Sequence, residues 1–147
     1  MTLRQAQGGR YIVVDASVWV ARLVQQDVFH EPVKVWMAAR RVGESTFISP
    51  SLLLAEVAGA VSRRTGDPTL ARRAVRRLES LPGLRLVEMD NSFLRKAADL
   101  AAKLGLRGAD STYVALANRL DLPLVTLDAD QRERAGKRIH IQSIETL

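Results

Sequence analysis

The chain of 147 residues has no cysteine, only two histidines, and few aromatic residues (two Trp, two Tyr and three Phe). Without cysteine there are no disulfides, thiolate metal ligands or thiol nucleophiles, which suits a reducing, cytoplasmic setting. His30 and His140 stand far apart with no paired spacing, which argues against a zinc site. Each reads as a surface or edge-strand residue. So few aromatics do not suggest a stacking platform for single-stranded bases. No apolar run approaches the length of a membrane span. The opening "MTLRQAQGGR" is polar and has no signal-peptide core, so it reads as a flexible lead-in over 1–10 before one domain over 11–147.

Apolar residues make up 47% of the chain and charged residues 26%, an ordinary globular mixture. Lys and Arg number 22 against 16 Asp and Glu, a net charge of +6. A basic balance of this size favours a polyanionic partner, either a nucleic acid or an acidic protein.

Short apolar, β-rich runs alternate with helical patterns along the whole length. "YIVV" at Tyr11–Val14, "TFIS" at 46–49, "LRLVEM" at 84–89 and "PLVTLD" at 123–128 are expected strands, and "IHIQSI" at 139–144 an expected edge strand. A helix is expected from Ser17. Further helices are expected in "EPVKVWMAARRV", in "PSLLLAEVAGAVSRR" opened by Pro50 and Ser51, in "PTLARRAVRRLESL", in "NSFLRKAADLAAKLG" and in "ADSTYVALANRLD". This alternation implies an α/β fold: a three-layer α/β/α sandwich around a central, mostly parallel sheet.

In such folds ligands bind beyond the carboxyl ends of the strands. Asp15 follows "YIVV" and Asp128 follows "LVTL", with Asp130 two residues on; Asp110 opens a helix, and Glu56 lies within a helix among Leu52, Leu53, Val57 and Ala60. Singly, each acid has a plain role. Asp15 and Asp110 suit helix N-termini, Asp128 and Asp130 suit a turn, and Glu56 suits a helix edge. Together they would repel one another unless a cation compensated them, and an all-oxygen set suits Mg²⁺ or Mn²⁺.

"VVDASVWV", the helix carrying Glu56, "RGADSTYVALA" and "LPLVTLDADQ", in that order, resemble the motifs of PIN-domain ribonucleases, in particular the VapC-type toxins of toxin–antitoxin systems. The resemblance runs from about Tyr11 to the C-terminal strand. It implies a metal-dependent endoribonuclease whose acidic quartet maps to Asp15, Glu56, Asp110 and Asp128. These would hold one or two Mg²⁺ or Mn²⁺ ions, which activate water for attack on a phosphodiester. Ser17 and Thr126 fall where the family has supporting hydroxyls, and Asp130 would be an extra outer acid. The resemblance also implies an RNA substrate, a neutralising protein antitoxin and a homodimer.

Arg63, Arg64, Arg72, Arg73, Arg76 and Arg77 fall in one stretch with Asp67 as its only acid. Arg72 and Arg76 share a helix face, as do Arg73 and Arg77, and no acid lies four positions from any of these four. They are RNA-phosphate candidates, as is Arg107 beside Asp110; the alternatives are a solvated face or an antitoxin's acidic segment. Leu52–Leu54, Val57 and Val61 exceed one helix face and offer a groove for an antitoxin helix, with core packing preferred for Leu53 and Val57. Two other readings compete: a PIN-like RNA-processing or DNA-directed nuclease outside a toxin–antitoxin pair, and a Mg²⁺-binding receiver-like signalling module. The second lacks the acidic pair after the first strand and a Lys after the last; Lys137 precedes that strand instead.

Overall fold

A computed structural model describes residues 10–144. The lead-in therefore lies outside the described residues except for Arg10, whose carbonyl accepts a hydrogen bond from the Thr46 backbone at 2.7 Å.

Four parallel strands form the sheet: β1 (Tyr11–Val14), β2 (Thr46–Pro50), β3 (Leu84–Val87) and β4 (Leu124–Val125), in the spatial order β3-β2-β1-β4. β1 is central because three of its four residues are fully buried, as its unbroken apolar run requires. The helices are α1 (Ala16–Leu23), α2 (His30–Val42), α3 (Leu53–Thr65), α4 (Pro68–Glu79), α5 (Asn91–Leu104), α6 (Gly108–Leu120) and α7 (Ala129–Ala135). The chain steps outward from β1 to β2 to β3, then crosses back to place β4 on the other side of β1. Right-handed crossovers consequently lay α1–α4 over one face and α5–α6 over the other, giving the three-layer α/β/α sandwich.

Trp19 of α1 and Trp36 of α2 converge on Phe47 of β2, each with ring centroids 5.7 Å apart, one edge-on and one stacked. On the opposite face α6 packs against β1, β2 and β4, and all seven residues from 111 to 117 are buried. Leu53 and Val57 of α3 are fully buried in the core, while Val61, also buried, borders a cleft beside α4.

Several elements differ from the sequence expectation. Pro50 closes β2, and α3 starts three residues later. β4 is two residues long because the Thr126 hydroxyl serves Asp15 and the Asp128 backbone at the strand end. The expected edge strand then reduces to a single parallel bridge, Leu124 with Ile141, since β4 offers so little ladder to pair with. α7 was not expected, because "ADQRERA" is short and polar and shows no apolar period. His30 is buried rather than superficial: it opens α2 with Nδ1 2.9 Å from the Ala21 carbonyl. His140 is exposed, as expected.

Candidate active site

The reversal of strand order between β1 and β4 leaves a crevice at their carboxyl ends, where two crossovers diverge to opposite faces. Asp15 is the first residue beyond β1. Its backbone N–H donates to the Val125 carbonyl at 3.0 Å, and its side chain caps α1 by accepting from the Ser17 N–H at 3.1 Å. The same Oδ2 accepts from Ser17 Oγ at 2.6 Å and from Thr126 Oγ1 at 3.0 Å. Ser17 Oγ in turn accepts from the Leu127 N–H at 3.0 Å, and Thr126 Oγ1 from the Asp128 N–H at 3.1 Å. The two hydroxyls thus lock the β1 and β4 exits together through one carboxylate oxygen. Asp15 Oδ1 takes none of these bonds.

The crevice holds an open cavity of about 780 Å³, lined among others by Asp15, Glu56, Arg63, Arg107, Asp110 and Asp128. Five acids line it: Asp15 at the β1 exit, Asp27 in the α1–α2 connection, Glu56 and Asp110 in the first turns of α3 and α6, and Asp128 at the cap of α7. A slightly larger cleft, about 870 Å³, lies beside it between the α1–α2 connection and the α3–α4 pair. Asp27 is the only acid lining that cleft, and Arg64 holds it at 2.5 Å, so no carboxylate cluster converges there.

Each acid in the cavity is held differently. Glu56 Oε1 accepts from the Tyr113 hydroxyl at 2.7 Å. Arg107 bridges two acids, with Nε 2.9 Å from Asp110 Oδ2 and Nη2 2.5 Å from Asp128 Oδ2. Asp128 also caps α7 through the Gln131 N–H at 3.0 Å. Burial pushes the Asp15 carboxyl above its ordinary value; hydrogen bonds from Ser17 and Thr126 offset part of this, and the like charge of Asp110 adds to it. Burial likewise raises Glu56 against the Tyr113 hydrogen bond, with Asp15 and Asp110 adding repulsion. Asp128 is lowered, mainly by the Gln131 N–H and also by Arg107.

The donors suit a hard divalent cation. All are carboxylate oxygens, two are raised by burial and neighbouring charge, and the hydrogen bonds to Asp15 all fall on its Oδ2. Among the described residues the side chains as they stand gather no group of three or more acids or histidines into a metal site. Mg²⁺ does not need so many, since it keeps several waters beside one or two carboxylates.

Other sequence candidates fall elsewhere. Asp130 turns outward to an exposed ion pair with Arg134 at 2.9 Å and does not line the cavity. Arg72 and Arg76 line a shallow groove between α3 and α4, while Arg73 and Arg77 line the neighbouring cleft. None of these four lines the acidic cavity, whereas Arg63 and Arg64 do. Among the described residues Arg63 makes no ion pair within 4.0 Å. Its signal was in the sequence: it lies seven residues after Glu56, two helical turns along the same face. Tyr113 likewise lies one turn after Asp110.

Comparison with known proteins agrees with this architecture. A family model described as PIN domain matches residues 12–137. No curated protein sequence matches the chain. Among solved structures, Mycobacterium tuberculosis VapC20, described as a sarcin-ricin loop cleaving toxin, superposes with a TM-score of 0.75 at 18% identity, covering 89% of this chain and 98% of that one. FitAcB from Neisseria gonorrhoeae gives 0.66 at 20% identity over 92% and 99%. VapBC2 from Rickettsia felis, solved with a promoter DNA fragment, gives 0.64 at 14% identity over 90% and 98%. At these identities the structures speak for the fold, while the family model spans most of the chain: this protein belongs to the PIN domain family.

Proposed function

We propose that this protein is a divalent-metal-dependent endoribonuclease of the toxin type, restrained by a protein antitoxin and acting as a homodimer. The observation that carries the reading is the convergence of Asp15, Glu56, Asp110 and Asp128 on one cavity at the sheet's switch point. In support, one structural neighbour is described as a sarcin-ricin loop cleaving toxin. Two other neighbours, VapBC2 and FitAB, were solved bound to DNA fragments.

Asp15, Glu56, Asp110 and Asp128 would hold Mg²⁺ or Mn²⁺. When bound, such an ion supplies Lewis acidity and offsets the charge that builds on a phosphodiester under attack. The chain's own residues do the rest. Ser17 and Thr126 fix Asp15 in one orientation, and Arg107 sets the spacing of Asp110 and Asp128. Arg63, at the cavity wall and without an ion-pair partner among the described residues, would meet a substrate phosphate in this reading. No serine–histidine pair lies at the cavity, so water is the nucleophile in this reading.

The test is cleavage of a mixed RNA pool by antitoxin-free protein. Products are expected with Mg²⁺ or Mn²⁺ and none in EDTA. Undiminished cleavage in EDTA, or cleavage of DNA alone, would overturn the assignment.

A further inference from the structure

Tyr113 is not one of the acids, yet it is the residue that orients one of them. It sits in α6 one turn after Asp110, and its side chain is fully buried. Its hydroxyl reaches across to α3 and donates to Glu56 Oε1 at 2.7 Å. No other hydrogen bond holds the Glu56 side chain among the described residues. A glutamate with three rotatable bonds on a helix face would otherwise sample several rotamers.

We infer that Tyr113 is the positioning residue for Glu56: its hydroxyl fixes Oε1 and leaves Oε2 as the oxygen presented to the cavity. The inference rests on Glu56 belonging to the proposed carboxylate site. It deepens that reading by naming what orients the acid on α3. The other three acids are oriented without Tyr113, Asp15 by Ser17 and Thr126, Asp110 and Asp128 by Arg107. Tyr113 has a further consequence for the fold of the site. Asp110 and Tyr113 lie one turn apart on α6, so the helix that carries one acid also holds the other in place through the phenol.

Three measurements on the full chain test this. First, Mn²⁺ binding followed by electron paramagnetic resonance is compared for wild type, Tyr113→Phe and Glu56→Gln. Removing a partner that orients a metal ligand lowers metal affinity or activity about 10- to 100-fold. Tyr113→Phe is expected to weaken Mn²⁺ binding within that range. Second, single-turnover RNA cleavage is measured at saturating RNA, where Tyr113→Phe is expected to lower the rate with little change in RNA affinity. Third, the chain has only two tyrosines, Tyr11 and Tyr113. In a Tyr11→Phe background, ¹³Cζ-tyrosine labelling gives a single phenol resonance. That resonance is expected to shift on adding Mg²⁺ and on Glu56→Gln.

If Glu56→Gln abolishes binding and cleavage while Tyr113→Phe matches wild type in both, the positioning role is overturned and the carboxylate site stands. If Glu56→Gln itself behaves as wild type, the place of Glu56 in the site fails, and the inference with it. Should Tyr113→Phe fold poorly, the phenol resonance decides alone. No shift with Mg²⁺ or with Glu56→Gln overturns the positioning role.

Discussion

A carboxylate at the end of a buried strand is a poor choice for stability alone. Asp15 and Glu56 both sit above their ordinary values in the folded protein, chiefly through burial. The folded chain therefore retains protons that the unfolded chain releases. Its stability falls as pH rises from the unfolded values, 3.8 and 4.5, through the raised folded ones. Asp128, lowered instead, contributes stability that is lost only as pH drops below its unfolded 3.8. Metal-free protein is thus expected to melt at a higher temperature near about pH 5 than near about pH 7.5. Asp15→Asn should flatten that dependence and raise the neutral-pH melting point by on the order of a few °C. Asn keeps an oxygen for the Ser17 and Thr126 donors, so the fold should survive while cleavage falls at least about 100-fold. Thermal melts in EDTA across this range check the sign; a neutral-pH loss of stability in Asp15→Asn would contradict it. Asp130 belongs to an exposed ion pair with Arg134, a class worth at most about 1 kcal/mol. Asp130→Asn should therefore leave both Mn²⁺ affinity and melting point unchanged within error.

At the level of elements, the strand-to-acid junctions were legible in the sequence because a continuous apolar run ending in Asp has few interpretations. β1 and Asp15 fall where the pattern put them, and so does α6 with Asp110 in its first turn. α7 was not legible. Its seven residues are too few and too polar to show a period, and "DAD" reads equally well as a turn. The cap on Asp128 resolves that ambiguity, and it gives Asp128 two separable roles. Asp128→Ala removes both the cap and the charge, and should cost about 1 kcal/mol of stability besides activity. Asp128→Asn keeps a good cap, and should lose activity at a near-native melting point. Equal melting points for the two variants would show that the cap contributes nothing. Tertiary pairings were the least legible layer. Nothing local announces that Arg107 spans two acids twenty-one and three residues away, or that Tyr113 reaches Glu56 across 57 residues.

Across the whole molecule, the net charge of +6 argued for a polyanion, but not for where it binds. The dense arginines of α4 drew attention by number, yet they line neighbouring grooves. Arg63 and Arg107 line the acidic cavity itself. The expected ordering follows from this placement. Arg63→Ala should weaken RNA binding and reduce the slope of log affinity against log salt by about 0.7, the value for one phosphate contact on a single strand. Arg72→Ala should change both less. Filter binding across a salt series ranks the two, and a larger effect at Arg72 would move the RNA path onto the α3–α4 groove.

The decisive measurement is cleavage of RNA by wild type and Asp110→Asn side by side in saturating Mn²⁺, with both proteins shown to melt alike. Loss of cleavage in Asp110→Asn alone would assign the chemistry to the carboxylate cavity. Equal cleavage by the two proteins would return Asp110 to the role of a helix-terminus acid and remove the nuclease site from this end of the sheet.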